Sequence, residues 1–181
     1  MATRTFHLIF GQSNARGAAQ KVDLTDLRYD ITQTDVRQYT RLDTVFGGTA
    51  SAAMTIPSGS FSIEAAYGYH LRNDAGQLPL IFRDGWSGTS LAGSWQPEAA
   101  GGEWANALDA MWQCYEAAKT EFSGDDLVFG SLVWIQGEAD VQNSTFAAAY
   151  EANLVKLGML SEASLGQTSP LYLFNSPKTV A

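Results

Sequence analysis

Four short apolar runs, FHLIF (6–10), LPLIFRD (78–84), LVFGSLVWIQ (127–136) and PLYLFNS (170–176), alternate with segments of helical periodicity. A short apolar run closed by glycine or a polar turn suits a strand buried on both faces, as in a parallel sheet. SFSIEAAYGYHLRNDAG reads as a helix, with Ser62 as its cap, Glu64 in its first turn and Gly76 just past its end. GEWANALDAMWQCYEAAKTEF reads as the longest helix, with Trp104, Leu108, Met111, Tyr115, Ala118 and Phe122 three or four apart on one stripe. TFAAAYEANLVKLGMLSEA follows as a third helix, with Phe146, Tyr150, Leu154 and Leu157 on one face. Strands that alternate with helices predict an α/β chain, a three-layer α/β/α sandwich around a mainly parallel sheet. Residues 18 to 60 fit this pattern least. They are polar, rich in Thr and Asp, and read as an irregular excursion with a few short elements. Such length is unusual for a connection and points to a segment that shapes a site.

With 181 residues and no repeat or linker, the chain is expected to form a single domain over 1–181 with a sizeable core. Its 45% hydrophobic and 17% charged residues give a globular balance. A net charge of −8 with no basic block argues against nucleic acid and against an anionic membrane surface as partners. The single cysteine, Cys114, excludes an internal disulfide and any CxxC-type metal site. No apolar stretch nears the roughly 20 residues that span a bilayer. The run in MATRTFHLIFGQ is too short for a signal peptide, so a soluble chain made in the cytoplasm without an export signal is expected.

In open α/β sheets the working residues gather past the carboxyl ends of the strands. Here those positions hold GQSN, GWSGTSL, QGEAD and NSPK. Ser13 stands where a helix would begin, and free N–H groups there favour a negative oxygen. A serine so placed can attack a carbonyl while nearby N–H groups receive the oxyanion. Taken alone, Ser13 is more simply an N-cap, Gly88 a turn residue and Gln136 a polar tie to loop backbone. Gln136 can also donate its side-chain amide to an oxyanion. Glu138 and Asp140, with no His or Cys beside them, make weak metal ligands. Glu138 reads instead as a loop support and Asp140 as a helix-start acid. No metal is expected.

GQSN after one strand, SGTSL after the next and WIQGEAD after a third resemble the SGNH-type hydrolases. The closest likeness is to their sialate O-acetylesterase-like and acetylxylan-esterase-like carbohydrate esterases. SFSIEAAYGYHL is similar to that branch's helix before the second block, and WIQGEAD is the most specific match. The likeness covers most of the chain and is weak through residues 18 to 60. It implies a flavodoxin-like sheet, with Ser13 as nucleophile and an oxyanion hole formed by the Ser13 N–H, Gly88 and Gln136. Asn14 and Glu138 would support the loops. The implied reaction removes an acetyl ester from a carbohydrate through an acyl-enzyme, without cofactor.

The same family carries a late Asp-x-x-His block that supplies the general base, and this chain has no counterpart. Its two histidines are His7, inside the first strand, and His70, in the middle of the helix before the second block, and no aspartate follows Asp140. By this likeness the chain is shortened at its C-terminal end. Without a base a serine hydroxyl is a poor nucleophile near neutral pH. Three readings follow. The chain is an acetylesterase whose Asp–His segment comes from a second chain or subunit, a non-catalytic glycan-binding module, or a structural subunit whose open sheet edge a partner covers. For the module, Trp86, Trp95 and Trp104 offer stacking faces, with core packing the simpler role for Trp104.

Overall fold

The computed structural model describes residues 1–16, 19–20, 33–40, 52–54, 60–61, 63–96, 98, 102–165 and 171–174. In chain order the elements are β1 (Thr3–Gly11), α1 (Ser13–Arg16), β2 (Ala19–Gln20), β3 (Gln33–Thr40), β4 (Ala52–Met54), β5 (Ser60–Phe61) and α2 (Glu64–Asn73). They continue with β6 (Pro79–Gly85), α3 (Glu103–Glu121), β7 (Asp126–Ile135), α4 (Glu138–Val141), α5 (Ser144–Leu165) and β8 (Leu171–Phe174). The main sheet runs β4-β3-β6-β1-β7-β8. Every neighbouring pair from β3 to β8 is parallel, and β4 lies antiparallel on the β3 edge. β2 and β5 form a separate antiparallel pair.

Alternation along β1 separates the two faces of the sheet. Phe6, Leu8 and Phe10 join α3 and α5 in the larger core, with Leu80, Phe82, Leu132 and Trp134 from the neighbouring strands. Ile9, with Ile81 and Val133, packs on the opposite face against Ala15 of α1 and Ala65 of α2. Helices on both faces of a mainly parallel sheet make a flavodoxin-like three-layer α/β/α fold, as the alternating pattern predicts. The larger core is dense in rings: Trp95 stacks on Phe10 at 6.2 Å and meets Trp134 edge-on at 5.2 Å. Each such fully buried ring contributes on the order of 2–3 kcal/mol of transfer free energy.

Three local expectations change. Residues 18 to 60 carry β3, which is a full strand of the main sheet rather than a short element. QTDVRQYT hides this because it has only two apolar residues among those described, Val36 and Tyr39, and they point to opposite faces. One anchor per face gives no apolar run and no period-2 stripe to read. The cap of α2 falls on Ile63 without a side-chain hydrogen bond, and Ser62 lies outside the described residues. The longest helix is α5 with 22 residues, not α3 with 19. The stripe expected on α3 is seated on the core, with Cys114 beside it.

Burial pushes the Cys114 thiol up to about 12, and the negative charge of Asp84 adds to the effect. A neutral, enclosed thiol is a poor nucleophile. We expect a disulfide-exchange reagent to leave Cys114 unmodified in native buffer and to titrate one thiol per chain in urea; fast native labelling would contradict the burial. Among the described residues no helix is long and apolar enough to cross a membrane.

Candidate active site

The sheet places three strand ends level with one another. Gly11 at the end of β1 pairs with Gly85 of β6 on one side and Ile135 of β7 on the other. The chain leaves β1 toward β3 and β6, then returns across it to β7. The carboxyl end of β1 is therefore the point where the winding direction reverses, the usual crevice for ligands in open α/β sheets. Ser13 stands two residues past this level, Trp86 one, Gly88 three and Gln136 one.

Two backbone bonds tie the three ends together. The Gln12 N–H donates to the Ile135 carbonyl at 3.0 Å, and the Trp86 N–H donates to the Gly11 carbonyl at 3.1 Å. Ser13 is half-buried and opens α1. An N-cap serine would accept a bond from an N–H two or three residues on. Among the described residues no such bond reaches Ser13, and the Arg16 N–H goes instead to the Gln12 carbonyl at 3.1 Å. Asn14 is exposed and donates through Nδ2 to Glu138 Oε1 at 2.7 Å, which links the first block to the third. Gly88 sits at the exposed tip of the second block with φ 72°. Trp86 is half-buried beneath the Arg16 guanidinium, which lies 5.7 Å from its ring centre. Trp95 and Trp104 are core residues, 0% and 3% exposed, so neither offers a stacking face to a glycan. That expectation gives way to packing, because both rings close on Phe10.

Gln136 is 1% exposed. Its Nε2 faces three acceptors: the Thr89 carbonyl at 3.1 Å, Gln12 Oε1 at 3.3 Å and the Asp140 carboxylate. A primary amide has two hydrogens, so in this arrangement both are taken up inside the protein. The backbone carbonyl of Gln136 accepts the Tyr150 hydroxyl at 2.7 Å. Burial, with the nearby charges of Asp140 and Glu138 against a bond from Trp134, raises the Tyr150 pKa and keeps that phenol a donor.

Asp140 is the residue that sequence reasoning missed. It lies in the first turn of α4, as expected of a helix-start acid, but it is 1% exposed and its carboxylate turns away toward the second block. It accepts the Leu91 N–H at 2.8 Å and the Ala92 N–H at 3.0 Å, besides the Gln136 amide. The signal available was its spacing from Gln136, four residues on across one short turn. Among the described residues no group of three or more His, Cys, Asp or Glu is gathered as a metal site would need.

The histidines stand elsewhere. His7 lies on β1 four residues before the strand's end at Gly11, roughly 13 Å from that end at strand rise, and Ser13 lies beyond it in α1. His7 is bonded to Ser131 and Gln77. His70 is engaged by Asp74 one turn along α2. The NSPK segment lies outside the described residues.

No family model matches the sequence, and no curated protein matches it. In fold the chain is similar to a protein from Arabidopsis thaliana, with a TM-score of 0.68 and 14% identity over 94% of this chain and 73% of that one. It is also similar to a carbohydrate acetylesterase from Xanthomonas citri, with a TM-score of 0.63 and 17% identity over 93% of this chain and 41% of that one. The chain thus spans less than half the length of that enzyme. At such identities the likeness is one of fold alone.

Proposed function

We propose that this chain is a carbohydrate O-acetylesterase-type serine hydrolase domain whose general base lies outside residues 1–181. The observation that carries the reading is the level register of Gly11, Gly85 and Ile135, which brings GQSN, SGTSL and WIQGEAD to one crevice. The fold likeness to a carbohydrate acetylesterase supports acetylated carbohydrate as the substrate class. In the proposed reaction the Ser13 hydroxyl attacks the acetyl carbonyl and its proton passes to the base. The N–H groups of Ser13 and Gly88 receive the oxyanion. Collapse expels the sugar hydroxyl, which takes the proton back, and water then releases acetate from Ser13. Asn14 and Glu138 hold the first and third blocks together, and Trp86 lines the sugar side.

A base from outside residues 1–181 is called for because His7 sits on β1 roughly 13 Å, by strand rise, before the strand end that Ser13 follows, and His70 is bonded to Asp74. That same fact favours a second reading, a glycan-binding module without turnover. Hydrolysis of an acetylated sugar by the wild type and by Ser13→Ala, each with and without added imidazole, separates the two. We expect a Ser13-dependent rate that imidazole raises. Equal rates for both proteins under every condition, together with measurable glycan binding, would replace the hydrolase with the module.

A further inference from the structure

The segment from Trp86 to Trp95 carries Gly88, yet little of its placement comes from Gly88 itself. A Cβ built on Gly88 would meet nothing within 4 Å. The segment is held instead at named points. The Trp86 N–H is tied to Gly11, Trp95 Nε1 donates to Thr89 Oγ1 at 2.8 Å, and Ser94 and Trp95 donate to the Ser90 carbonyl. The Ser94 carbonyl also accepts the Glu103 N–H at 2.9 Å and the Leu91 carbonyl accepts Gln96 Nε2 at 3.0 Å, and three further ties lead to two buried side chains of the third block. Thr89 offers its carbonyl to Gln136, and Leu91 and Ala92 offer their N–H groups to Asp140. Gln136 and Asp140 are joined to each other. A flipped Gln136 amide would set its oxygen against three acceptors, so the hydrogens point inward toward them.

We infer that Gln136 and Asp140 work as one bracket, positioning residues that fix the Gly88-bearing segment over the end of β1, and that neither donates to the substrate. The inference rests on the proposed hydrolase only for its consequence in rate; the bracket itself is a statement about the 86–95 segment. A carboxylate has only acceptors, so Asp140 cannot serve an oxyanion. If Gln136 acts through the bracket, losing either residue must give the same defect. If Gln136 is an oxyanion donor, its loss must slow the reaction and leave the segment in place.

Hydrogen exchange and ester hydrolysis, measured on the full chain for Gln136→Met, Asp140→Asn and the double variant, distinguish these. Charge-assisted bonds to a buried carboxylate are strong enough that exchange at Leu91 and Ala92 should quicken by on the order of ten- to a hundredfold in each variant. Amides of β1 and β7 should keep their protection. The Ser13-dependent rate should fall by a similar factor in both single variants and no further in the double, since both residues act through one element. A slower reaction in Gln136→Met with unchanged exchange in the 86–95 segment would overturn the bracket, as would single effects that multiply. Should Ser13→Ala match the wild type, the hydrolase reading fails and the exchange result alone decides the bracket. Should Asp140→Asn not fold, the nearly isosteric Gln136→Met decides it.

Discussion

Gly11→Ala is expected to cost more than about 4 kcal/mol of folding stability, a loss found only where a mutation strikes a built-in constraint. Gly11 has φ 146°, outside the range open to other L-residues. A Cβ there would stand 2.0 Å from the Ile135 carbonyl oxygen and 2.6 Å from its carbon. Both atoms belong to the backbone of β7, a central strand, and cannot swing aside as a side-chain tip could. The variant must therefore part β1 from β7 where the Gln12 N–H meets Ile135. Against a typical margin of roughly 5–15 kcal/mol, this leaves a protein that is marginal or unfolded. Urea denaturation followed by circular dichroism measures it, with Gly124→Ala as control. A Cβ at Gly124 meets nothing within 4 Å, so that variant should stay within about 1 kcal/mol of the wild type. A Gly11→Ala midpoint matching the wild type would refute the close approach. The consequence for the site is direct, because the same contact sets Ser13 beside the third block.

That contact also marks the boundary of what the sequence discloses. β1, β6 and β7 are legible because burial on both faces demands continuous apolar runs, and the blocks after them are legible because glycine and polar residues interrupt those runs abruptly. β3 is not, since a strand near the sheet edge needs only Val36 and Tyr39 to hold it. Side-chain partnership is the other hidden layer. Asp140 and Glu138 look alike in QGEAD, yet one is sealed beneath the second block and the other reaches Asn14 at the surface. Which acid goes inward depends on where Leu91 and Ala92 come to rest, a contact almost fifty residues distant in sequence. The tryptophans repeat the lesson. Trp86 and Trp95 are equally plausible glycan platforms as letters, and only the ring of Phe10 beneath Trp95 removes it from the list.

His7 shows the same hidden layer with a measurable outcome: unfolding free energy should fall by about 3 kcal/mol as pH drops from 6.5 to 4. The imidazole is buried between β1, β7 and α2. Its Nδ1 lies 2.9 Å from Ser131 Oγ and 3.2 Å from the Tyr67 hydroxyl, and its Nε2 lies 3.1 Å from Gln77 Oε1. Gln77 Oε1 also accepts Thr5 Oγ1 at 2.9 Å, so Nε2 carries the hydrogen and Nδ1 accepts. Gly130 makes the room, since a Cβ there would lie 2.3 Å from the ring. Among the described residues, Arg83 and Glu64 on that face are bonded to each other. Burial dominates and lowers the His7 pKa from 6.5 to about 4, against a smaller opposing effect of the Gln77 bond. The unfolded chain thus takes up a proton near pH 6.5 while the folded chain resists until about 4. Stability is full above pH 6.5 and drains away as pH falls through that window, by about 1.4 kcal/mol for each pH unit crossed. Roughly half of the loss should come between about pH 6.5 and 5, before ordinary carboxylates titrate. Urea unfolding across this range should give a slope that His7→Gln abolishes, and the His7 ring proton should hold a constant NMR shift down to about pH 5. A ring that titrates near its ordinary value in the folded protein, or a slope unchanged in His7→Gln, would mean that the imidazole is not sealed in neutral form.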